Sequence, residues 1–386
     1  MPRPTVLAVL ALIALAFASG CKSTTAADRA AIADHKDYAR IYLEGGQIEK
    51  AADQYSRVLA LAPDDYESLL GLSFASAVIR QFEWGKTSIE RAEAQHPEDP
   101  MVHLAKGMVY YEWGRADARQ GVRLEEMATA YADPATPGAD PSKARGFGEE
   151  AARYAASAQE KLATARAALV ECERLYGDTR EAVLPPVKGE PVEAASATQK
   201  RLADNGYLLS MLALAHVASG REHYRTAIRY LERYVATVAQ IRADYKTWYE
   251  KERVKMSDAQ QLEAKAGRES LERSERKART FAAWLLYDLA SYAQSATPPD
   301  KATEAACRKE ATDHLVAVLE LDPDSPTQLV NLARMQAQNG DIPAAIASLQ
   351  KFNEQSLGRG DLLDVQLGAV HAIRKMSHAL AGEGER

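Results

Sequence analysis

The residue types that do covalent or metal chemistry are present in this chain, but not at working spacings. Its 8 histidines include no H-E-x-x-H pattern. His216 and His223 stand seven apart, as do His371 and His378, with no cysteine beside either pair, which is a poor ligand set for a metal. Gly85-Lys86-Thr87 matches the end of a phosphate-cradling glycine loop. The first glycine of such a loop would fall on Arg80, and no strand precedes it. Arg359-Gly360-Asp361 reads as a helix stop followed by an acidic cap. No nucleophile elbow and no paired-carboxylate constellation stands out. The chemistry left is non-covalent recognition. Lys36 and Arg40 can orient a carboxylate, and Leu70, Phe74, Met108 and Tyr111 can supply adaptable apolar contact. Asn331 and Arg334 form a smaller polar pair near the other end.

A period places those residues. Thirty-four residues separate Pro63 from Pro97. Counting Pro63 as position thirty-two puts Tyr38, Ala39 and Tyr42 on a first helix, Gly46 at a turn, and Ala51, Tyr55, Val58 and Leu59 on a second. The next stretch sets Leu69, Leu72, Phe82, Gly85, Ile89 and Ala92 at matching places. A third first-helix has Gly107 at the crossing and Gly114 at an expected turn, but its partner, about 116–131, lacks the alanine a crossing needs. Leu329, Ala333, Gly340, Ala345, Leu349 and Phe352 make the clearest stretch of all.

This layout resembles the tetratricopeptide repeat (TPR), firmly over about 32–115 and 310–355 and loosely over 195–235. The resemblance implies an all-α superhelix, or solenoid, of paired helices whose inner face is left for partners. Within each repeat, positions 2, 5, 9 and 12 lie opposite the framework by the 3.6-residue period. They are Ala33, Lys36, Arg40 and Leu43, then Glu67, Leu70, Phe74 and Ala77, then Met101, Leu104, Met108 and Tyr111. At the far end they are Thr327, Val330, Arg334 and Ala337, with Asn331 beside them. Two outcomes stay open: this face is a groove for an amphipathic helix or apolar peptide, or the helix at 144–176 or an insertion fills it and makes it core. Lysine, asparagine and arginine at inner positions resemble a carboxylate clamp only in part, because the matching residues stand at opposite ends of the array.

The remaining segments divide by composition. Residues 132–143 hold three prolines and read as a loop, followed by a degenerate helical, TPR-like region over 144–255 with a second loop at 177–196. Between Thr226 and Tyr292 there is no proline and one glycine, Gly267, and Ser257 to Gln260 has the form of a capping box. Two long helices are expected, about 222–255 and 258–294, forming a hairpin that is either a solvated arm or a docking or dimer arm. Repeats and a capping helix fill 297–382, and 35–131 is the N-terminal array. Cys172 and Cys307 lie in alanine-rich helical stretches where a buried free thiol behaves as a small hydrophobe.

The first twenty residues differ from the rest. Arg3 precedes the apolar run from Val6 to Phe17, whose 12 residues are fewer than the ~20 needed to span a bilayer. Residues 1–20 read as a secretory signal and 21–34 as a tether. Ala18-Ser19-Gly20-Cys21 resembles the bacterial lipobox, with Ala18 where leucine is usual; the resemblance implies lipidation of Cys21, and Lys22 after it implies the outer membrane. An ordinary cleavage site at Ala16-Phe17-Ala18 is the alternative, giving a soluble periplasmic or secreted protein. Acyl chains contribute ~0.8 kcal/mol per buried methylene, so two or more anchor stably.

The chain carries 48 Lys and Arg against 54 Asp and Glu, a net charge of −6, which argues against nucleic acid as a partner. The TPR lipoprotein resemblance implies a non-catalytic adaptor in cell-envelope assembly. It would need no cofactor, bind other envelope proteins or peptides, and reach the membrane through its anchor. The alternatives are a homo-oligomeric structural lipoprotein using the hairpin, or an enzyme with its site among the insertions.

Overall fold

Turn residues at fixed intervals and small residues where helices cross leave the backbone one economical arrangement, helix pairs stacked in sequence. The computed structural model describes residues 25–180 and 208–383, residue 358 excepted, and these are all-α with no strand among them. Cys21, the signal segment and most of the loop expected at 177–196 lie outside the described residues. The chain divides into two units, Met1–Thr179 and Arg180–Arg386.

In the N-terminal unit, α1 (Ala26–Glu44) pairs with α2 (Ile48–Leu61), and α3 (Tyr66–Val78) with α4 (Phe82–Gln95). Each pair turns at repeat position fifteen. Gly46 takes φ +69° there and Arg80 φ +61°, the left-handed conformation that closes a helix. The following amide then reaches back five residues, Gln47 N–H to Tyr42 O at 2.8 Å and Gln81 N–H to Ser76 O at 2.9 Å. Helix starts repeat as well. Asp65 caps α3 by accepting from Ser68 N–H, and Asp99 caps α5 (Pro100–Ala132) by accepting from Met101 N–H. The Tyr66 hydroxyl donates to Asp99 at 2.5 Å, tying one repeat's start to the next.

Small residues let the helices touch. Ala39 and Ala51 are fully buried at the first crossing, and Gly85 sits where an added Cβ would meet Val109 at 3.1 Å. Ala52, Tyr55, Leu72 and Ala75 fill the space between the first pair and α3, and Leu69, Ile89, Ala92, Val102 and Ala105 fill the next layer.

The turn expected at Gly114 does not form, and no separate helix starts at 116. α5 runs unbroken for 33 residues, because its glycines serve a different purpose. Gly107, Gly114 and Gly121 form a seam against α6 (Pro141–Arg180). A Cβ on Gly107 would lie 2.5 Å from Leu169, on Gly114 2.8 Å from Leu162, and on Gly121 3.4 Å from the Ala151 carbonyl. Rising numbers on α5 meet falling numbers on α6, so the two run antiparallel. Asp117, nearly buried in the same seam, accepts from Ser157 Oγ at 2.8 Å and Lys161 Nζ at 2.6 Å. Pro141 is the first residue of α6, so the loop expected to reach 143 ends at 140.

The C-terminal unit begins, as described, with a helix over 208–218 (α7). The hairpin follows: α8 (Tyr224–Glu252) and α9 (Asp258–Ser295), with Ser257 and Gln260 making a reciprocal capping box. Glu275, nearly buried on α9, bridges to the other arm through Arg242 at 3.1 Å and pairs with Arg279 one turn along its own helix at 2.9 Å. After α10 (Lys301–Leu321) come α11 (Pro326–Gln338) and α12 (Ile342–Ser356), which repeat the N-terminal pattern. Gly340 takes φ +81° at position fifteen, and Asp341 N–H reaches Gln336 O at 2.9 Å. α13 (Leu363–Glu383) closes the array by packing Ala369, Ile373 and Met376 over Leu329, Leu349 and Phe352. Cys172 and Cys307 are buried free thiols, each in its own unit.

Candidate functional site

The N-terminal inner face comes together in space but is largely spoken for by the fold. Lys36 Nζ lies 2.7 Å from Asp65 and 3.2 Å from Glu67. Burial pulls the Lys36 pKa down, but the bonds from Asp65 and Glu67 outweigh it and leave the ammonium above its ordinary value. Asp65 answers in kind: burial raises its pKa, and the bonds from Lys36 and Ser68 bring it below the usual carboxylate range. Arg40 bonds Asp37 at 3.0 Å and Glu67 at 3.4 Å. The pair therefore clasps the start of α3. Leu70 and Phe74 are half-buried against Leu69, Ile89 and Val102, and Met108 is half-buried on α5. Tyr111 is 4% exposed, with Arg115 over its ring at 5.4 Å, so it offers no open surface.

The C-terminal inner face is different. Three hollows of about 460, 190 and 330 Å³ lie along it and share walls. Thr280 and Trp284 of α9 line both the first and the second. Arg334 of α11 lines both the second and the third, where Val330, Ala337 and Met376 add an apolar floor. Asn331 stands in the second. Three of the four positions expected to face inward on α11 line this trough. Asn331 and Arg334 are thus brought to one open surface, while Lys36 and Arg40 belong to the other unit.

Two features of the trough suit recognition of an anion-bearing, apolar guest. Trp284 is 53% exposed and stacks on Phe281 with the rings 6.1 Å apart, a preformed aromatic platform. Four cations line it, Arg273, Arg276, Lys277 and Arg334, against one carboxylate, Asp322, which Arg276 neutralises. Among the described residues, Arg273, Lys277 and Arg334 have no carboxylate within ion-pair distance. Gln338 Nε2 donates to the Tyr287 hydroxyl at 3.2 Å, which fixes the end of α11 on α9.

No protein-family model and no curated protein matches the chain. Solved structures similar to it include the TPR domain of P58(IPK), at 13% identity over 89% of this chain and 98% of that one, with a TM-score of 0.20. Another is yeast Tom70, at 14% identity over 92% of this chain and 97% of that one, also with a TM-score of 0.20. At such scores the likeness adds nothing to the assignment, which rests on the helix pairs and turns themselves.

The sequence reading missed Trp284 and the cations on α9. A signal was there: Arg273, Lys277, Thr280, Trp284 and Tyr287 follow one another at spacings of four, three, four and three, a single helix stripe. Its mixed polarity hid it, because a stripe of cations and aromatics scores as solvated surface.

Proposed function

We propose that this chain is a membrane-anchored, periplasm-facing scaffold that holds partner proteins during cell-envelope assembly and has no catalytic activity of its own. The observation that carries the reading is the C-terminal trough, an aromatic and apolar surface on a stacked-helix frame, edged by three cations that have no carboxylate partner among the described residues. Interfaces of this kind draw their energy from a few central aromatic and arginine side chains. The anchor rests on Cys21 and the small residues before it, and the outer membrane on Lys22.

Pairing Trp284→Ala with Arg334→Glu in the full chain tests the docking role. Quantitative proteomics of cross-linked complexes from solubilised membranes should show one set of partners lost while the far-UV helical signal stays unchanged. Equal recovery from both proteins would refute it. A second reading, self-association through the hairpin, is favoured by exposed apolar groups at its end: Val254 is 88% exposed, Leu262 70% and Trp248 44%. Sedimentation of the Val254→Glu, Leu262→Glu chain decides it, since an oligomer that persists in the variant rejects that reading.

A further inference from the structure

We infer that the occupant of the C-terminal trough is an acidic amphipathic α-helix of a partner protein. It lies along α9 with carboxylates against Arg273 and Lys277 and apolar residues against Trp284. This rests on the docking role proposed above and goes further by naming the partner's chemistry.

The stripe itself argues for a helix. Arg273, Lys277, Thr280, Trp284 and Tyr287 advance by an average of 3.5 residues, the spacing that keeps one helix facing another. At 1.5 Å per residue the stripe is about 21 Å long, enough for four turns of a guest. A guest that binds by adding a strand to a sheet edge is excluded, since no strand exists among the described residues. Apart from Asp322 and Ser325 at the turn between α10 and α11, the lining backbone is helical and bonds internally, so side chains make most of the surface, and a helix binds through side chains alone.

Charge selects the sign. The chain as a whole is net negative, yet the trough lining carries four cations and one carboxylate. With Arg276 engaged by Asp322, the acids of a guest are left to Arg273 and Lys277 at one end and Arg334 across the trough. Arg273 and Lys277 stand four apart on α9, so two acids four apart on the guest meet both. Polarity along the stripe then fixes the guest's register: acidic where the cations are, apolar seven residues on, at Trp284.

Fluorescence anisotropy on the full chain tests this with three labelled peptides of about 18 residues. One is a helix with glutamate and leucine on one face, the second its scrambled counterpart, the third the same helix with lysine for glutamate. The acidic helix should bind at least about tenfold more tightly than the scrambled peptide and weaken as salt rises. The Arg273→Glu, Lys277→Glu chain should lose that preference and take the lysine helix instead, and Trp284→Ala should weaken both. Equal binding of helix and scramble, or indifference to charge reversal, overturns the inference. So does an acidic helix that fails to bind; if Trp284→Ala with Arg334→Glu still depletes partners from membranes, only the helix falls, and otherwise the docking role falls with it. A concentration-dependent dimer abolished by Arg273→Glu, Lys277→Glu would assign the trough to a second copy and also overturn it.

Discussion

Arg80 holds the same left-handed turn that glycine holds at residues 46 and 340. A side chain in that conformation costs roughly 1–2 kcal/mol, partly offset by the backbone entropy glycine would lose on folding. Arg80→Gly should therefore raise stability by about 0.5–1 kcal/mol in denaturant unfolding, and Gly340→Ala should lower it by a similar amount. The Lys36–Asp65 pair makes a pH prediction. The folded-state pKa of Asp65 is depressed below its ordinary 3.8, so its contribution is fully present above that value and is lost as pH falls through the lower, folded-state pKa. Asp65→Asn keeps a capping oxygen but loses the ion pair. It should cost ~1 kcal/mol at neutral pH and flatten the acid limb of the stability curve below pH 3.8. An unchanged acid limb would mean that Lys36 does not hold Asp65 as described.

Helices show where sequence reading succeeds and where it fails. α1 to α4 were legible because Ala39, Ala51 and Gly85 mark crossings that nothing larger can occupy, and because Pro63 and Pro97 mark the period. The hairpin was legible from its missing prolines and from Ser257 and Gln260. α5 was not. Gly114 has the spacing of a turn, but a glycine in sequence does not say whether it bends the chain or admits a neighbour. The deciding residues, Ala158, Leu162, Ala165 and Leu169, lie more than forty positions away. The seam makes a direct prediction. Gly107→Ala should destabilise by about 1–3 kcal/mol, since its Cβ would stand 2.5 Å from Leu169. Gly148→Ala, on the exposed start of α6 with nothing within 4 Å, should stabilise by about 1 kcal/mol through helix propensity. Calorimetry on the two variants separates packing from propensity, and shifts of the same sign would contradict the seam. The candidate site was legible only in part: Asn331 and Arg334 followed from the repeat, whereas Trp284 depends on how α9 packs beside α11.

At the scale of the whole molecule, the proposed scaffold joins two devices in one chain: a lipid anchor on Cys21, and a C-terminal unit with an open, cation-edged trough. Cys21→Ala should release the protein from the membrane fraction without altering its helical signal, because the described helices do not use that residue; retention in the membrane would remove the lipid anchor from the account. The central claim is that the inner face of α9 and α11 is a docking surface. The most direct test places a photo-crosslinking residue in the living cell at 277, 284, 331 or 334, and at Lys309 or Lys351 as exposed positions outside the trough. One discrete higher-mass adduct, shared by the trough positions and absent from the controls, is expected. No adduct at any trough position, or the same adducts at all six, would contradict it.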